Sequence, residues 1–168
     1  MIRLLLAGTF LFAWMSASTD AAETNIGYLH RTDPRSTLSL IQTPAKNDGI
    51  AGARLAIDDN NTTGRFLDQQ FSLEDVPLAG VANAGAATVA LAERGMSLAV
   101  ADLPPDELLN AADAGGPRNV LFFNVGASDD RLREEDCRAN VIHTAPTRSM
   151  LPTLWRSIWS GSSGADGF

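Results

Sequence analysis

Short apolar runs alternate with segments of helical spacing along most of this chain, and that alternation leaves few folds open. Residues 25–30 (NIGYLH) read as a strand, followed by a polar, proline-containing loop over 32–44. Asn47 or Asp48 is predicted to cap a helix carrying Ile50, Ala53, Leu55, Ala56 and Ile57. It ends at Asn60, Asn61 and Gly64, residue types that tolerate a left-handed C-terminal conformation. Residues 70–76 (QFSLEDV) alternate as a strand, and 79–94 form an alanine-rich helix closed by Gly95. Residues 97–101 (SLAVA) suit a buried strand. Residues 105–112 form a helix with Pro105 first and Asp106 and Glu107 in its first turn, where the macrodipole favours acids. Residues 119–125 (NVLFFNV) are the most apolar strand, and 140–144 the last. The connections are long enough for crossovers, so the expected fold is α/β, a doubly wound parallel sheet with helices on both faces.

In such sheets ligands sit outside the carboxyl ends of the strands. The loops beginning at Arg31, Asp102, Gly126 and Ala145 are therefore where a site is expected, with Tyr28, Asp102, Ser128 and Thr144 as candidate ligand contacts.

The first residues are of a different kind. Arg3 is the only charge before Asp20, and residues 4–15 (LLLAGTFLFAWM) are apolar but too short to span a bilayer. A small-residue stretch over 16–22 follows, so residues 1–22 read as a signal peptide cut between Ser18 and Ala22, after Ala21 or Ala22. The expected mature protein is periplasmic, with no membrane span left after cleavage.

Composition removes several function classes. The net charge is −7 over 168 residues with no cluster of Lys or Arg, which excludes a nucleic-acid footprint. A single cysteine, Cys137, and two distant histidines, His30 and His143, give neither a disulfide framework nor a zinc cluster. The phosphate-cradling GxGxxG and GxxxxGK[ST] patterns and the GxSxG nucleophile turn are absent, so no cofactor and no catalytic residue is expected. Ser128, Asp129 and Asp130 read as a helix cap, and His143 as a structural histidine. The run Asp58, Asp59, Asn60, Asn61 lacks EF-hand spacing, which rules out a metal site of that kind, and reads as a helix end; Asn60 and Asn61 both open N-x-[ST] sequons.

Three segments carry a family resemblance: residues 25–35 (NIGYLHRTDPR), 48–66 (DGIAGARLAIDDNNTTGRF) and 132–150 (LREEDCRANVIHTAPTRSM). Together they resemble the amino-terminal part of a type I periplasmic solute-binding protein of the branched-chain amino-acid kind. More narrowly, they resemble the ABC-transporter binding protein associated with pyrroloquinoline-quinone-dependent alcohol oxidation. The resemblance covers nearly all of 23–150, and its most specific parts are DNNTTGRF and DCRANV. It implies two α/β lobes enclosing a ligand cleft, of which 23–150 would supply part of the first lobe, and a small-molecule solute handed to a transporter permease. The loop Asp102, Leu103, Pro104, Pro105 presents a carboxylate and two residues without N–H groups, which argues against the carboxylate head of an α-amino acid. The alternative is an exported sensor or protein-interaction domain built on the same half-fold.

Residues 151–168 (LPTLWRSIWSGSSGADGF) leave the pattern, with Pro152 early and a rise in Gly and Ser. Restoring one base after codon 151 permits the helical string LADALAQYLVWKQWRRWF, so the tail is expected to be frameshifted, with Trp155, Ile158 and Trp159 carrying no evolved role. The chain would then be a truncated, poorly stable fragment without measurable solute affinity.

Overall fold

The computed structural model describes residues 22–32, 45, 47–79 and 83–151. Within them β1 (Ala22–Arg31), β2 (Gln69–Leu78), β3 (Leu98–Asp102), β4 (Leu121–Asn124) and β5 (Val141–His143) form one parallel sheet in the order β2-β1-β3-β4-β5. The helices α1 (Asp48–Gly64), α2 (Ala84–Glu93) and α3 (Pro105–Gly115) make the crossovers. The chain moves outward from β1 to β2 and then crosses back to β3, so the winding direction reverses between β1 and β3. This is the doubly wound α/β arrangement that the alternation predicts.

The core lies between the sheet and the α2/α3 layer. Gly27 of β1 lets α2 approach closely: a Cβ there would stand 2.8 Å from Leu91 Cδ1. Leu29, Ala99, Ala101 and Phe122 are 0% exposed, and they cluster with Leu91, Leu108, Ala111 and Ala112 of the two helices. At the far side Gly115 admits the Phe122 ring, whose Cε2 would lie 2.6 Å from an added Cβ. Between β4 and β5 the chain makes only a 3₁₀ turn, Asp130–Arg133, whose Leu132 is buried in the same cluster. The opposite face carries α1, whose Gly49 sits over Tyr28.

Local details depart from the sequence reading in instructive ways. α1 does end at Gly64, but neither Asn60 nor Asn61 adopts a left-handed conformation; the positive φ of 50° belongs to Asp68, in the turn before β2. Asn61 instead bonds β2 like a strand residue, donating from Nδ2 to Phe71 O (2.8 Å) and accepting from Phe71 N–H at Oδ1 (2.7 Å). Asn47 occupies the N-cap position without a side-chain cap bond, and Asp48 Oδ1 accepts from Gly49 N–H (2.8 Å). β4 begins at Leu121 rather than at 119, because Asn119 takes φ 58° in the turn leaving α3. Ser128, Asp129 and Asp130 make no helix cap: the 3₁₀ turn has no side-chain cap bond, and Asp130 accepts from Ser149 Oγ instead (2.6 Å). Gly95 closes α2 at φ 81°, as its place in the sequence requires.

Of the expected signal peptide, residues 1–21 lie outside the described residues, while Ala22 already pairs with Gln69. The tail beyond Leu151 also lies outside them. No helix among the described residues is long and apolar enough to cross a membrane.

Candidate functional site

Asp102 ends β3 on the α1 face, in register with His30 of β1. Two residues earlier Val100 pairs with Tyr28, so Tyr28 and Asp102 project from the same face of adjacent strands. The Tyr28 hydroxyl donates to Asp102 Oδ2 at 3.3 Å. Two glycines make room for this pair. A Cβ on Gly49 would fall 2.2 Å from the Tyr28 oxygen, and one on Gly126 2.6 Å from Asp102 Oδ1.

Asp102 lies where two open cavities meet. One of about 390 Å³ is lined by Tyr28, Gly49, Ala53, Val100, Asp102 and Val125. The other, about 450 Å³, carries Arg31, Asp102, Pro104, Pro105, Ser128 and Arg148. Both sit at the carboxyl ends of β1, β3 and β4, spanning the point where the winding reverses, which is where open α/β sheets receive ligands.

Charge at this edge is arranged by helix and loop termini. Arg31 leaves β1 and forms an ion pair with Glu107, a carboxylate 1% exposed in the first turn of α3. Arg148 is placed by its backbone N–H, which donates to Ser128 O (2.9 Å). The loop after β4 is folded by Asn124, which is 0% exposed. Its Oδ1 accepts from Gly126 and Ala127 N–H (3.2 and 2.8 Å), and its Nδ2 donates to Ala127 O (2.7 Å) and His143 Nδ1 (2.9 Å). With Nδ1 as acceptor the imidazole is neutral. Burial, assisted by the nearby charge of Arg133, holds the His143 pKa below its ordinary value.

Of the residues named from sequence, the fold brings Tyr28, Asp102 and Ser128 to this edge. Thr144 follows β5 at the same carboxyl edge and is exposed, but it lines neither of these two cavities. Its Oγ1 donates to Asn124 O (2.9 Å) and its backbone N–H bonds the same carbonyl (3.0 Å), so its polar atoms secure the end of β4. Arg148 and Asn124 escaped the sequence reading, Arg31 entered it only as the start of a loop, and Glu107 only as a first-turn acid favoured by the macrodipole. Among the described residues no group of three or more His, Cys, Asp or Glu side chains is arranged to hold a metal.

No family model matches the chain, and no curated protein sequence does. Solved structures do. The branched-chain amino acid transporter substrate-binding protein LivJ from Streptococcus pneumoniae, in complex with isoleucine, is similar with a TM-score of 0.60 at 18% identity, over 74% of this chain and 34% of that one. A leucine-, isoleucine-, valine-, threonine- and alanine-binding protein from Brucella ovis, in its closed conformation, reaches 0.65 at 15% identity, over 84% and 37%. An ABC transporter substrate-binding protein from Desulfitobacterium hafniense, in complex with Leu, reaches 0.63 at 16% identity, over 84% and 39%. This chain thus spans little more than a third of the length of each of these structures, and what it shares with them is the fold.

Proposed function

We propose that this chain forms one wall of the ligand cleft of a periplasmic solute-binding protein that serves an ABC transporter, without catalysis. The observation that carries the reading is the Tyr28–Asp102 pair facing two cavities at the reversal point of the sheet. Binding proteins with the same fold hold isoleucine and leucine, which makes a small solute the natural ligand class.

The solute itself is read from the donors and acceptors at that edge. Asp102 offers carboxylate oxygens, Pro104 and Pro105 offer no N–H, and the Arg31 charge is offset by Glu107. A hydroxyl group donates well to such a carboxylate, which also attracts an ammonium group and repels a carboxylate. A small hydroxylated solute is the ligand class we take, and an α-amino acid, with its ammonium at Asp102 and its carboxylate towards Arg148, is the competing class. The sequence resemblance to the binding protein associated with pyrroloquinoline-quinone-dependent alcohol oxidation points the same way.

Chemical-shift mapping of the labelled chain with alcohols, aldehydes, short acids and leucine tests the ligand class. Weak, saturable shifts at Tyr28, Asp102, Ser128 and Arg148 with hydroxylated solutes are expected. Shifts confined to the amino ends of the strands, or a response to leucine alone, would remove the proposal. Permease and ATPase genes adjacent to the coding sequence are expected; a kinase or cyclase gene there would favour the sensor reading.

A further inference from the structure

The two cavities at the carboxyl edge share Asp102 and Val125 but differ in what else lines them. On the α1 side Ala53, Val100 and Val125 make the walls beyond Tyr28 apolar. On the other side stand Ser128 and Arg148, together with Arg31, which is already paired with Glu107. Among the described residues neither the Arg148 guanidinium nor the Ser128 hydroxyl has a hydrogen-bond or ion-pair partner. Donors are thus left over at one end of the site, and apolar walls at the other.

The loop that carries Arg148 is held at several points. Thr144 and Ala145 N–H both donate to Asn124 O (3.0 and 3.2 Å), Ala145 O accepts from Arg133 Nη2 (2.6 Å), and Ser149 Oγ donates to Asp130 Oδ1 (2.6 Å). Between these anchors Arg148 N–H donates to Ser128 O (2.9 Å), which sets the two residues side by side at the cavity wall. The amino end of α3, the other place where an anion could settle, is closed to it. Pro105 has no N–H, and Asp106 and Glu107 fill the first turn with carboxylates. A carboxylate entering this edge therefore finds its donors at Arg148 and Ser128.

We propose that Arg148, with Ser128, selects a solute bearing a carboxylate, so that the hydroxylated ligand is a short-chain α-hydroxy acid. The proposal rests on the solute-binding reading and names its ligand. A carbon that bears a hydroxyl, a carboxylate and an alkyl group points them in divergent directions, and the junction of the two cavities offers a matching set. The hydroxyl donates to Asp102, the carboxylate turns to Arg148 and Ser128, and the alkyl group enters the space between Ala53, Val100 and Val125. A hydroxyl at Asp102 needs a single acceptor, whereas an ammonium there brings further N–H groups against those apolar side chains. Gly49 and Gly126 keep the junction open, because an added Cβ would fall 2.2 Å from the Tyr28 oxygen or 2.6 Å from Asp102 Oδ1.

Probes that share one isobutyl chain separate the groups: the hydroxy analogue of leucine, the diol in which a hydroxymethyl group replaces its carboxylate, the plain acid without its hydroxyl, and leucine itself. In NMR titrations of the labelled chain the hydroxy acid should bind about ten-fold more tightly than the diol, with shifts at Ser128 and Arg148. Arg148→Met should remove that advantage and leave diol binding unchanged, and Arg148→Lys should recover part of it; the backbone bond to Ser128 O remains in both. Arg65→Met, just beyond α1 at the amino edge, should alter neither affinity. Equal binding of hydroxy acid and diol, or an advantage that survives Arg148→Met, overturns the proposal and leaves a hydroxylated solute standing. Leucine or the plain acid binding as tightly as the hydroxy acid overturns it too, since the hydroxyl would then select nothing. If none of the probes moves the carboxyl edge, the solute-binding reading falls and this proposal with it.

Discussion

Arg31 at the carboxyl end of β1 holds Glu107 in the first turn of α3, joining two elements 76 residues apart across the candidate site. The Glu107 side chain is 1% exposed, and among the described residues its second oxygen, Oε2, has no hydrogen-bond partner. Removing the cation strands a buried carboxylate, so Arg31→Ala should cost about 2–3 kcal/mol, less than a fully buried pair because Arg31 is partly solvated. Replacing both, Arg31→Met with Glu107→Leu, should cost less than the single change. Urea midpoints of the parent, Arg31→Met, Glu107→Leu and the double variant measure this, and additive losses would refute the coupling.

Two glycines should respond in opposite directions to a single methyl group. At Gly115 an added Cβ meets the Phe122 ring at 2.6 Å and Thr88 Cγ2 at 3.2 Å, so Gly115→Ala should destabilise by about 1–3 kcal/mol. At Gly52, inside α1, a Cβ meets nothing within 4 Å, and Gly52→Ala should stabilise by about 0.5–1 kcal/mol through helix propensity alone. Thermal or urea melts of both variants compare them directly.

His143 should give the fold a pH dependence above the carboxylate range. Its folded pKa is lowered by burial and by the Arg133 charge from 6.5, so below that value the unfolded chain binds a proton that the folded chain refuses. The contribution is complete above pH 6.5 and is lost as pH falls through the unfolded pKa toward the folded one. His143→Gln should flatten the fall in stability between about pH 7 and pH 5. Asp113, lowered first by its hydrogen bond from Arg138, loses its contribution only as pH falls below 3.8, a separate window.

Neighbouring asparagines should differ sharply. Asn61→Ala removes both bonds to Phe71 and should cost about 1–2 kcal/mol. Asn60→Ala removes one exposed bond to Ala56 O and should cost a few tenths at most. Equal effects would mean that the bridge from α1 to β2 contributes nothing.

Periodicity and punctuation made most of the scaffold legible. Gly95 fixed the end of α2 because a left-handed turn excludes most other residues, and Pro105 with Asp106 marked the start of α3. Asn61 and Asn119 were harder, since Asn serves left-handed turns, caps and bridges alike, and only its neighbours decide which. At the site, Asp102 was legible because strand ends in a doubly wound sheet converge. Arg31 and Arg148 were not, because surface arginines look alike until a distant carboxylate or carbonyl fixes them.

The sequence alone determined the number of strands among the described residues and their parallel sense, because these follow from local period and from crossover length. The tertiary structure alone decided that Glu107 is buried against Arg31 and that Thr144, itself exposed, commits its hydroxyl to the Asn124 carbonyl. The reason is range. A hydrophobic period reports which side chains leave water, but which partners they meet depends on register across strands far apart in the chain, and no local pattern carries that information.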